Sequence, residues 1–105
     1  MADAYSVKAT DDSWEPFAAG VVKWVRQDDD VQAGIWSCTK AEQPDVHEAV
    51  FESNETVHIL EGRVRVEVLD GPTVELGAGD SASFVKGTTG RWTLLEDVKE
   101  FFVYS

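Results

Sequence analysis

The sequence predicts an all-β sandwich or barrel. Three observations carry that prediction. About nine short stretches alternate apolar and polar residues at period two, clusters of Gly, Pro, Asp and Ser separate them, and no stretch has a convincing amphipathic-helix pattern. A chain of 105 residues is long enough for one domain with one core. With 43% hydrophobic residues, four Trp and five Phe, it has the means to form that core.

Residues 1–20 are weakly patterned, and Trp14-Glu15-Pro16-Phe17 reads as an extended arm whose aromatic rings cover an apolar surface. Val21 to Gln27 alternates as a strand, and Asp28-Asp29-Asp30 is a turn too charged to be buried. These aspartates lack the spacing and the glycine of a calcium loop. Ala33 to Thr39 is a strand with Gly34, Trp36 and Cys38 on one face. After the break at Gln43-Pro44-Asp45, Val46 to Glu52 resumes with Glu48, Val50 and Glu52 on one face and His47, Ala49 and Phe51 on the other. One slipped residue here exchanges His47 for Glu48 in the interior.

Glu55 to Leu60 is the strand around which the chain is organised. Glu55, Val57 and Ile59 share a face, so Glu55 is a carboxylate on an otherwise apolar wall, which is costly unless it is paired or bound. Glu61-Gly62 reads as a two-residue hairpin turn into Arg63 to Leu69, with Val64, Val66 and Val68 inward. Asp70-Gly71-Pro72 turns the chain, Thr73 to Leu76 is a short strand, and Gly77-Ala78-Gly79-Asp80 turns again. Strands at Ser81 to Val85, Arg91 to Leu95 and Lys99 to Tyr104 complete the domain, the last with Phe101 and Val103 alternating with Phe102 and Tyr104.

Composition narrows the function. The formal net charge is −11, from 20 acidic against 9 basic residues, and no basic stripe exists for a nucleic-acid backbone. No run approaches the roughly 18 apolar residues of a membrane span. Asp3, Asp11 and Asp12 stand where a signal peptide needs basic and then apolar residues, so the expectation is a cytoplasmic protein. The lone Cys38 fits a reducing compartment and reads as a small buried thiol.

The motif spacing resembles that of the cupins. Glu55 and Gly62 stand at the Glu-x6-Gly spacing that ends the first cupin motif, and Gly79-Asp80 with Val85-Lys86-Gly87 is similar to the second. Gly34-Ile35-Trp36-Ser37-Cys38 and Gly90-Arg91-Trp92 extend the likeness to small single-domain cupins grouped with the ureidoglycine aminohydrolase cupin domain. The resemblance covers roughly residues 33 to 104. It implies a double-stranded β-helix, that is a jelly-roll barrel, over residues 21–105, with residues 1–20 as an arm. It also implies a homodimer, because such arms often pack on the barrel or on a neighbouring subunit.

Metal-binding cupins place His-x-His before that glutamate and a further histidine in the second motif, a set suited to a divalent transition metal. Counting back from Glu55, the His-x-His positions fall on Glu48 and Val50 or on Ala49 and Phe51, and Gly90 takes the place of the last histidine. Of that ligand set only Glu55 is present, so no metal or other cofactor is expected; any metal would fall to Glu55, Glu48 and His47. His58 is out of phase with Glu55 and reads as an outer-face residue.

Two functions remain open. The first is a metal-free barrel binding a small molecule, with Glu55, Glu48, Trp36 and Trp92 as its walls. The second is a hydrolase or isomerase of a small metabolite, with Glu55 as catalytic acid/base and Lys86 or Arg91 holding an anionic group. Trp92, two residues beyond Gly90, either packs in the space of a metal or forms an aromatic wall. Glu48, if inward, sets a second carboxylate beside Glu55, where the two either work as an acid/base pair or are neutralised by Lys86 or Arg91.

Overall fold

The computed structural model describes residues 3–105 and is built from strands alone. In chain order these are β1 (Glu15–Pro16), β2 (Val21–Gln27), β3 (Gln32–Cys38), β4 (His47–Val50), β5 (Glu55–Glu61), β6 (Arg63–Val68), β7 (Thr73–Gly77), β8 (Ser81–Phe84), β9 (Thr89–Leu94) and β10 (Val98–Tyr104). They form two antiparallel sheets, one ordered β1-β2-β3-β10-β5-β8 and the other β4-β9-β6-β7. The chain changes sheet between β3 and β4, β4 and β5, β5 and β6, β7 and β8, β8 and β9, and β9 and β10. Two sheets wound by one chain in this way make a jelly-roll barrel, as the alternation and turn spacing predict.

The turn at Glu61-Gly62 is not a hairpin. β5 pairs with β10 and β8, whereas β6 pairs with β7 and β9, so Gly62 is the corner where the chain leaves one sheet for the other. Period-two alternation correctly puts Val57, Ile59, Val64 and Val66 in the core, where they are at most 1% exposed. It does not specify which strands become neighbours, and both strands here bury their apolar faces better against longer-range partners.

Registers place the inward residues of the larger sheet in three rows. Gln32, Tyr104, Glu55 and Phe84 form the first, Trp24, Gly34, Phe102, Val57 and Ala82 the second, and Val22, Trp36, Glu100 and Ile59 the third. Beyond the third row, Cys38, Val64, Leu94 and Val98 plug that end of the barrel. Toward the first row, where polar side chains replace aliphatic ones, the interior opens.

The arm wraps the β2 edge. On the outer face Lys23, 2% exposed, donates from Nζ to the carbonyls of Lys8 (3.1 Å), Ala9 (3.4 Å) and Asp11 (3.0 Å), and Trp14 lies 4.7 Å from it. β1 then pairs with β2, and Phe17 enters the inner side against Trp24 and Phe102. A long aliphatic stem packed under the arm and three backbone acceptors at its tip let this lysine be buried.

Candidate functional site: an acidic cavity with aromatic walls

Between the two sheets lies an open cavity of about 1020 Å³. Two aromatic clusters flank it. On one side Phe102 packs edge-on to Trp24 (5.6 Å between centroids) and against Tyr104 (4.9 Å). On the other, Phe51 stacks on Phe84 (4.9 Å), and Trp92 meets both rings. Trp36 lines the cavity and is fixed by its indole N–H, which donates to the Ala19 carbonyl of the arm at 2.6 Å.

Two carboxyl groups stand on the β5–β10 wall. Glu55 sits opposite Tyr104 in the first row, and Glu100 sits opposite Ile59 in the third. The four-residue step from Tyr104 to Glu100 along β10 sets Glu100 deeper by about 13 Å of strand length. Burial pushes the Glu55 carboxyl up to about 7. Burial, reinforced by the Glu55 charge, pushes Glu100 up to about 8. The Tyr104 hydroxyl is raised by burial and by both carboxylates. Glu100 is 3% exposed, and its Oε2 has no hydrogen-bond partner among the described residues. An acceptor left in that state is a direct sign of an unmet interaction.

Sequence reasoning placed Glu55, Trp36 and Trp92 at the cavity, and the structure brings these three together. Glu48 it does not. β4 runs with His47 and Ala49 inward, opposite Trp92 and Gly90, and Glu48 points outward to an ion pair with Arg91 (3.1 Å). The inward phase follows from Phe51, which is buried in the core, while Glu48 gains a charged cross-strand partner at the surface. Arg91 and Lys86 likewise lie outside the cavity, so neither stands where it would hold an anionic substrate group or neutralise Glu55. His47 reaches the wall without any bulge in the β4–β9 pairing. His58 is on the outer face and bonds the Ser81 hydroxyl at 2.7 Å.

Glu100, Tyr104 and Trp24 were missed. For Glu100 the signal exists in the sequence, since alternation puts it on the face of Val98, Phe102 and Tyr104. Its neighbour Lys99 masks it, because Lys-Glu reads as the charged start of a strand.

The donor set does not fit a histidine-ligated metal. Among the described residues no three His, Cys, Asp or Glu side chains gather as a metal site. Gly90, in the place of the second-motif histidine, is roofed by Phe51, whose ring would lie 2.8 Å from a Cβ built there. The set of Glu55, Glu48 and His47 fails because Glu48 faces the other way. Cys38 is buried, and its thiol is pushed up to about 11 by burial, with Glu42 and Asp97 adding to it, which makes it a packing residue.

A jelly roll with a ligand-sized cavity between its sheets, its corner glycine at Gly62 and a carboxylate at Glu55 is a cupin. The chain belongs to the EutQ-like cupin domain family, whose model matches residues 25–102. Its fold is similar to that of the EutQ protein of Clostridium difficile, with a TM-score of 0.67 and 13% identity over 80% of this chain. The chain spans 65% of that protein's length. An RmlC-like cupin of Methanocaldococcus jannaschii matches over 100% of this chain and 91% of its own, with a TM-score of 0.69 and 12% identity. A DUF861-family protein of Thermotoga maritima is 33% identical over 65% of this chain and 73% of its own, with a TM-score of 0.55. No curated protein matches the sequence.

Proposed function

We propose that this cupin binds a small organic molecule inside the barrel, held by carboxyl groups and indole faces rather than through a metal. One observation carries the reading: a cavity of about 1020 Å³ has two carboxyls on its β5–β10 wall, and one of them, Glu100, leaves an oxygen unpartnered. Ligand cavities of roughly 300–1,000 Å³ with apolar walls and a few convergent polar groups are the usual form of a small-molecule site. Glu55 is the less buried of these two carboxyls and the more open to a ligand. Glu55→Gln is expected to fold and to lose protection by ligand against heating. A thermal-shift screen of amines, sugars and carboxylic acids on both proteins measures this, and an undiminished ligand-induced shift in Glu55→Gln rules the reading out.

Acid/base chemistry on a small metabolite is the second reading, and the perturbed Glu55 favours it. A carboxyl poised near neutrality exchanges protons at physiological pH. The likeness to the ureidoglycine aminohydrolase group makes ureidoglycine the first substrate to try. Turnover by wild type and none by Glu55→Gln would put this reading first; no turnover by wild type removes that substrate.

A further inference from the structure

We propose that the barrel's ligand is an organic ammonium ion, seated with its charge between Glu55 and Glu100 and its carbon groups against Trp24, Trp36 and Phe102. The inference deepens the binding reading above and rests on it.

The sign of the charge on the cavity is decisive. Glu42, Asp45, Glu52, Glu55 and Glu100 line it, and among the described residues no Lys or Arg does. Cations nearby are directed elsewhere. Lys23 is tied to three arm carbonyls on the outer face, Lys99 pairs with Glu61 and Arg91 with Glu48. An anionic ligand entering here meets five carboxyl groups and no lysine or arginine to balance them. A neutral polyol leaves the buried Glu100 uncompensated when ionised, which is unfavourable in an apolar surround. A small divalent metal needs convergent oxygen or nitrogen ligands, and the carboxyls are set apart along the wall. An organic cation answers both halves of the site. Its diffuse charge compensates the carboxylates at longer range, and its alkyl surface and charge both favour aromatic faces.

The charged and titratable groups that share the cavity with Glu100 can be assigned element by element. Glu55 comes from β5, Tyr104 from β10 itself and His47 from β4, while Glu42, Asp45 and Glu52 come from the segments bordering the mouth. β2 and β3 present Trp24, Gln27, Gln32 and Trp36 without charge, and β9 presents Trp92. Carboxyls held up to about 7 and about 8 ionise as pH rises past neutrality, so a permanently charged ligand gains affinity in that interval. A ligand that requires the ionised form of a group near 7 binds roughly tenfold more tightly at pH 8.5 than at pH 6.

The test is calorimetric titration with choline, whose charge does not titrate, and with 3,3-dimethylbutan-1-ol, its uncharged isostere, at pH 6 and pH 8.5. Choline is expected to bind at both values and roughly tenfold more tightly at the higher, with the alcohol at least tenfold weaker. Glu55→Gln is expected to lose most of that tenfold pH dependence, and His47→Gln to keep it. Equal binding of the alcohol, or preferential binding of acetate, overturns the cationic assignment while leaving barrel binding intact. Silence to choline at millimolar concentration overturns the assignment, as does manganese(II) displacing choline in a Glu55-dependent way. The choline–alcohol comparison on the wild-type protein decides the matter even if a variant folds poorly.

Discussion

Glu100→Gln is expected to stabilise the protein at pH 8 and to leave it nearly unchanged at pH 5. The folded-state carboxyl is held up to about 8 against an ordinary 4.5, so the folded chain keeps a proton that the unfolded chain releases. Whenever the folded state binds more protons, stability falls as pH rises. Glu100 therefore destabilises progressively from about pH 4.5 to about pH 8, and Glu55, held up to about 7, does so over the lower part of that window. A tenfold change in proton affinity corresponds to about 1.4 kcal/mol, so the full effect of Glu100 is on the order of a few kcal/mol. In a domain of this size that is a rise in Tm of about 10 °C or more at pH 8. Calorimetric melting of both proteins at pH 5 and pH 8 measures it. A variant melting at or below wild type at pH 8 would show that the buried carboxyl is not strained.

Gly62→Ala has the opposite sign and a comparable size. Gly62 has a φ of +85°, and a Cβ built on it would lie 1.9 Å from the Asp97 carbonyl oxygen, inside any possible contact. The obstacle is backbone at the corner before β10, which cannot rotate out of the way. Gly79 supplies the control, with a φ of +92° and no atom within 4 Å of its Cβ position. Gly79→Ala carries only the left-handed backbone strain, roughly 1–2 kcal/mol. Gly62→Ala is expected to lose about 3 kcal/mol or more, adding a clash that can be relieved only by moving the corner. Urea melts compare them. Equal midpoints would mean that the corner yields freely.

Gly62 also shows what was legible in the sequence and what was not. Its spacing from Glu55 marks the cupin motif, and the alternation on either side correctly assigns the core residues. Alternation gives each strand its faces but not its partners, and that is why the corner reads as a hairpin. Around residues 46–52 both faces mix polar and apolar side chains. Motif counting draws Glu48 inward, while the burial of Phe51 and the Arg91 ion pair hold it outward. Lys23 and Glu100 illustrate a second limit. Each is a charged residue at an otherwise readable strand position, and its burial depends on distant segments: the arm carbonyls for Lys23 and the flanking strands β3 and β5 for Glu100. The vacant histidine positions, by contrast, were readable one by one, and Phe51 over Gly90 shows how the space is used instead.

The position of the ligand is tested most directly by the four tryptophan indole N–H resonances in a nitrogen-15 correlation spectrum during a choline titration. Trp24, Trp36 and Trp92 line the cavity, and Trp14 lies on the outer face beside Lys23, serving as an internal control. Saturable shifts are expected for the first three signals, with Trp14, assigned through Trp14→Phe, unmoved. Shifts confined to Trp14, or none at any indole, would contradict an organic-cation site inside this barrel.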